Sequence, residues 1–214
     1  MRIVCVLFPD LTQLDLTGPF EVFHRMPDAE IDLAAATLEP VMSDGGLALV
    51  PTMTFAEAPQ GAVLFVPGGP GVNEAMLDEQ LVAFIARQGA GARWVTSACT
   101  GALLLGAAGL LAGYEAATHW ASMELLEPFG AWPVAKRVVI SSNRITGGGV
   151  TAGIDVALAI AEQTYGRDVA EDIAVAIEYR EATEENSARV LARMKPMLDE
   201  RRRAVAAAAK RLSS

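Results

Sequence analysis

The stretch Val95-Thr96-Ser97-Ala98-Cys99-Thr100-Gly101-Ala102-Leu103-Leu104 (VTSACTGALL) passes from a β-rich run through a turn of small residues into an apolar helix, with a cysteine at the crest of the turn. A strand of four to six residues that turns directly into a helix is the unit of a parallel sheet, because parallel strands need a crossover between them. Two other segments end the same way. Ala62 to Val66 (AVLFV) is continuously apolar, as in a strand covered on both faces, and stops at Pro67-Gly68-Gly69-Pro70-Gly71. Arg2 to Phe8 (RIVCVLF) stops at Pro9-Asp10. Such alternation predicts an α/β three-layer sandwich, a mostly parallel sheet with helices on both faces. Ligands of such sheets collect at the carboxyl ends of the strands, so the loop holding Asp15, the loop Gly68 to Gly71 and the Cys99 turn are the candidate site.

Around this frame, Gly18-Pro19-Phe20-Glu21 predicts a helix running to about Arg25, with Pro19 at a first helical position. Ile31 to Ala36 reads as a strand. Val41-Met42 and Leu47 to Val50 read as a hairpin about Ser43-Asp44-Gly45-Gly46. Leu81 to Gln88 reads as helix, Arg93 to Ala98 as strand, and the helix after Cys99 reaches about Ala108. A helix from about Ala121, a strand over Arg137 to Ser141, and Ile145-Thr146 ahead of Gly147-Gly148-Gly149 follow. Thr151 is expected to cap a helix to about Tyr165, and Val169 to Tyr179 to form another. Residues 1–180 make the α/β domain. Residues 181–214 form a charged, alanine-rich helical extension of it, interrupted at Pro196.

Composition removes several function classes. In 214 residues, 52% are hydrophobic and 20% charged, which fits a folded globular chain. A net charge of -9 leaves too few cations to neutralise a phosphate backbone, so no nucleic-acid partner is expected; Arg201-Arg202-Arg203 reads as a solvated helix face. No apolar run approaches the roughly 20 residues of a membrane span, so no membrane partner is expected either. The start MRIVCVLFPD reads as a strand rather than a signal peptide, and a cytoplasmic chain is expected. With two cysteines, Cys5 and Cys99, two distant histidines and no CxxC or HExxH, neither a disulfide framework nor a metal site is expected.

Cys99 admits two readings of about equal weight. The start of a helix favours a thiolate through its free N–H groups and dipole, which makes an activated nucleophile; a small buried hydrophobe would look the same. Cys5, inside IVCVL, is core. Asp15 lies among Leu14, Leu16 and Gly18-Pro19, where burial would tune its acidity, although a loop-capping aspartate also fits. Gly68 and Gly69 offer backbone N–H groups to a developing anion, or make a plain strand-exit turn. His119, in ATHW, is a base or a structural histidine. Next to the cysteine stands Thr100, which donates a hydrogen bond but cannot relay a proton near neutral pH, so a cysteine–histidine hydrolase is disfavoured.

The segments FPDLTQLDLTGPFEV (Phe8 to Val22), VPGGPGV (Val66 to Val72), VTSACTGALLLGAAGLLAG (Val95 to Gly113), ATHW (Ala117 to Trp120) and ITGGGVTAGID (Ile145 to Asp155) resemble the ThiJ/PfpI superfamily, which is related in fold to class I glutamine amidotransferases. Within it, LDLTGP combined with CTGA resembles the isonitrile (isocyanide) hydratases. The resemblance implies a flavodoxin-like sandwich, a homodimer, and hydration of a small-molecule isonitrile to an N-substituted formamide with no cofactor. It implies that Cys99 is the nucleophile that forms a thioimidate and Asp15 the acid/base. It also implies that Thr100 holds the reacting group and that Gly68 and Gly69 form the facing substrate loop. The chain departs from the pattern after Tyr179, where Arg180-Glu181-Ala182-Thr183-Glu184-Glu185 stands in place of a segment containing proline and glycine. The alternatives are another cysteine enzyme of the superfamily, hydrolase or glyoxalase-like, and a cysteine-based redox sensor.

Overall fold

The computed structural model describes residues 1–212. Its elements are β1 (Arg2–Val6), α1 (Gln13–Phe23), β2 (Glu30–Ala35), a hairpin of β3 (Val41–Met42) and β4 (Ala48–Leu49), β5 (Met53–Thr54), β6 (Val63–Val66), the short α2 (Val72–Ala75) and α3 (Glu79–Gly91). β7 (Trp94–Ser97), α4 (Gly101–Ala107), β8 (Glu115–Ala116), a 3-10 helix (Trp120–Phe129), β9 (Trp132–Pro133), β10 (Val138–Ser141), β11 (Arg144–Gly147), α5 (Ala152–Tyr165), α6 (Arg167–Ala176) and α7 (Glu184–Leu212) complete it.

The main sheet runs β10-β11-β7-β6-β1-β2-β5, and every pairing in it is parallel except the edge pair β10–β11. Helices α1, α5 and α6 pack together, as do α2, α3 and α4, giving the flavodoxin-like layering the alternation predicts. β6 has no exposed residue and β1 is buried from Ile3 onward, which is why their sequences are unbroken apolar runs rather than alternating ones. Register places the site. Cys5 pairs with Phe65, and Phe65 with Thr96, so the chain leaves β1, β6 and β7 side by side at one end of the sheet.

Four expectations need correction. α1 begins at Gln13 rather than at Pro19, so Asp15 lies in its first turn and Pro19 is inside the helix. Without an N–H, Pro19 cannot return the helical hydrogen bond to the Asp15 carbonyl. Thr151 supplies no side-chain cap to α5; its hydroxyl instead accepts from Arg137 at 3.2 Å. The helix expected to reach Tyr179 ends at Ala176. α7 runs through Pro196 without interruption, opened by a reciprocal pair in which Thr183 N–H donates to Asn186 Oδ1 (2.7 Å) and Asn186 N–H to Thr183 Oγ1 (3.3 Å). Ser213 and Ser214, the end of the expected extension, lie outside the described residues.

Candidate active site

The turn after β7 is held from both sides. Ala98 N–H donates to the Val66 carbonyl (3.1 Å) and Gly101 N–H to the Ala98 carbonyl (3.0 Å), which closes the chain in a tight turn over Cys99 and Thr100. Cys99 adopts φ 52°, a left-handed conformation uncommon outside glycine. Its carbonyl accepts a buried 2.9 Å hydrogen bond from the Thr118 hydroxyl. A strained backbone persists only where its surroundings fix it, and these bonds do so. The result is a sharp strand-to-helix elbow that leaves Cys99 only 5% exposed.

The glycine loop after β6 closes against the elbow. Thr100 Oγ1 accepts from Gly69 N–H (2.9 Å) and donates to the Gly69 carbonyl (3.1 Å), bracing that residue on both sides. Gly69 has φ +135°, which side-chain-bearing residues rarely adopt. At Gly68 a Cβ would stand 2.5 Å from the Thr100 amide nitrogen and 2.9 Å from Asp15 Oδ2, so only glycine lets the three segments meet.

Asp15 is fully buried. Its Oδ2 accepts from Gly68 N–H at 3.1 Å, while Oδ1 has no partner among N–H and O–H groups of the described residues. The Cys99 thiol and this carboxyl are near enough to shift each other's acidity. Burial raises the Asp15 pKa from 3.8 to about 7, offset in part by the bonds from Cys99 and Gly68; the Asp44 charge adds to the rise. Burial first and the Asp15 charge second push the Cys99 thiol up to about 12, while Thr100 N–H pulls it down. The pair therefore holds a proton at neutral pH.

Of the two readings of Cys99, the raised thiol goes against a thiolate made by the helix start alone. α4 is seven residues long, and its end effect is outweighed by desolvation and a neighbouring carboxylate. Gly68 and Gly69 differ from expectation as well. Their N–H groups are already taken by Asp15 and Thr100, so they build the site rather than stand open toward a ligand. The Thr100 hydroxyl is likewise committed to Gly69. His119 Nδ1 accepts from Ala121 N–H at 3.3 Å and caps the 3-10 helix.

Thr118 and Asp44 are site residues the sequence reading passed over. Thr118 stands in the ATHW segment beside His119, and nothing local marks it as a brace. Asp44 reads as a hairpin-turn residue, yet its N–H donates to the Leu11 carbonyl (3.0 Å) and its carboxylate accepts from Thr12 (2.7 Å), which brings the hairpin over the start of α1. No group of three or more His, Cys, Asp or Glu side chains among the described residues is arranged to hold a metal ion.

Comparison with known proteins agrees with this architecture. The chain is 50% identical over 182 residues to isonitrile hydratase of Pseudomonas putida, an alignment covering 85% of this chain and 80% of that protein. The crystal structure of a ThiJ/PfpI family protein from Pseudomonas syringae superposes with TM-score 0.82 at 40% identity, over 90% of this chain and 86% of that one. Drosophila melanogaster DJ-1beta shares the fold at TM-score 0.75 and 20% identity, over 82% and 96% of the two chains. The DJ-1/PfpI family model matches residues 1–163, a span that holds both carboxyl-end loops and the cysteine elbow, and the chain belongs to the DJ-1/PfpI family.

Proposed function

We propose that this chain is an isonitrile hydratase, with Cys99 as nucleophile and Asp15 as acid/base. The observation that carries the reading is the buried Asp15–Cys99 pair, which keeps one transferable proton beside one sulfur. The 50% identity to the Pseudomonas putida isonitrile hydratase supports the substrate class.

An isonitrile carbon accepts a nucleophile and a proton at the same atom, and the pair supplies both. Sulfur bonds to the terminal carbon while the pair's proton passes to that carbon, giving the thioimidate R–N=CH–S–Cys99. Water then adds to the C=N carbon, one of its protons passing to Asp15 and the other to the nitrogen, which leaves an oxyanion on that carbon. The C–S bond breaks, the proton on Asp15 returns to sulfur, and R–NH–CHO leaves with the thiol restored. A carboxyl held near pKa 7 gives and takes a proton with nearly equal ease at neutral pH, as a group acting in both directions requires. Thr100, Gly68 and Gly69 hold the elbow and the carboxyl in register.

Two further parts of the reading are a homodimer, as the family resemblance implies, and a cytoplasmic location, supported by two free cysteines. No helix among the described residues is long and apolar enough to cross a membrane. Incubating the purified protein with alkyl and aryl isonitriles and following the formyl proton by NMR tests the function. N-formamide should accumulate; no turnover across the series overturns it.

A further inference from the structure

The C-terminal helix carries a surface that the chemistry does not use. α7 has 29 residues and α6 has 10, lengths of about 43 and 15 Å, so more than half of α7 has no α6 beside it. Its first half is anchored. Asp172 of α6, 2% exposed, is paired with Arg189 (3.0 Å) and Arg193 (3.1 Å), and Asn186 and Val190 are buried. From Leu191 to Val205 no residue is buried.

Along that length Leu191, Met194, Leu198, Arg201 and Val205 recur at alternating intervals of three and four. This is the seam of a two-stranded coiled coil, with a cation inside it. Leu191 is 56% and Val205 62% exposed, so the seam is open. It continues into a groove of about 540 Å³ lined by Val175, Ala176, Ala182, Ser187, Leu191 and Met194, with Glu178, Glu181 and Arg180 at its rim.

The charges select the partner. α7 has eight basic residues and four acidic ones while the whole chain is at -9, so the body is more acidic than the total. Phosphate-rich partners would attract the arm and repel the body. A second copy instead offers an apolar groove with two rim carboxylates to a helix with an apolar seam and Arg201, Arg202 and Arg203. Parallel pairing would set the arginines against one another; antiparallel pairing brings them to Glu178 and Glu181 of the partner, beside the start of its α7. We propose that α7 of one copy packs antiparallel along α7 of a second, reciprocally, with the seam filling the groove. α6 and α7 lie outside residues 1–163, so this interface is separate from the family match.

Light-scattering mass of the full chain at low and high salt, with circular dichroism, provides the test. The double substitution Leu191→Glu with Leu198→Glu should halve the mass with helix content retained. Reversing Arg201, Arg202 and Arg203 to Glu should also halve it at low salt, and adding Glu178→Lys and Glu181→Lys should restore it. If the leucine variant loses helix, the reversal and rescue pair decides. Equal masses for wild type and variants, or a reversal that the added lysines fail to rescue, would overturn the proposal.

Discussion

The Asp15 carboxyl and the Cys99 thiol share one buried position between the start of α1 and the elbow after β7, so neither group titrates as it would in water. Segments more than 80 residues apart in sequence meet there because β1, β6 and β7 are adjacent in the sheet. Asp15→Asn keeps the shape and the Gly68 bond but removes the proton carrier. Formamide production should fall about 10²- to 10⁴-fold, the usual worth of a general acid/base. Because the Asp15 charge helps hold the thiol up, the same variant should be alkylated by iodoacetamide at lower pH than wild type. An unchanged alkylation profile would separate the two groups.

Stability should carry the mark of Asp15. Its pKa is about 7 in the folded chain and near 3.8 when unfolded, so between those values the folded state binds more protons. The stabilisation is complete below about pH 4 and is lost as pH rises through about 7, with a slope of at most about 1.4 kcal/mol per pH unit. Denaturant midpoints measured from pH 4 to pH 8 should show this fall, and Asp15→Asn should flatten it.

Thr118 braces the elbow through its hydrogen bond to the Cys99 carbonyl. Thr118→Val should cost about 1 kcal/mol of stability, the usual worth of one hydrogen bond, and more if the carbonyl stays buried and unpaired. It should lower kcat with little change in KM, since the bond fixes the elbow and not a ligand; Thr118→Ser should recover most of the loss. A valine variant with full kcat would show that the elbow holds without this bond.

Much of the frame is legible in local sequence because its causes are local. AVLFV and RIVCVLF read as strands because burial on both faces demands unbroken apolar residues, and PGGPG and CTG mark strand exits. α1 starts earlier than the local signal Gly18-Pro19 predicts, because Gln13 joins the helix under tertiary constraint: Thr12 N–H donates to the Gly68 carbonyl at 2.9 Å. The same limit applies at the site. Cys99 and Asp15 stand out by residue type and setting. The commitments of the Gly68 and Gly69 amides, the raised thiol and the Thr118 brace arise from contacts between distant segments, which no local pattern records.

Intact-protein mass spectrometry during turnover of an alkyl isonitrile, followed by digestion to locate the modification, tests the covalent Asp15–Cys99 account most directly. The account predicts a population heavier by one isonitrile molecule, carried on Cys99, more abundant in Asp15→Asn than in wild type because its breakdown is slowed, and absent in an inactive Cys99→Ala. Formamide production by Cys99→Ala at the wild-type rate, with Cys99 unmodified throughout wild-type turnover, would contradict it.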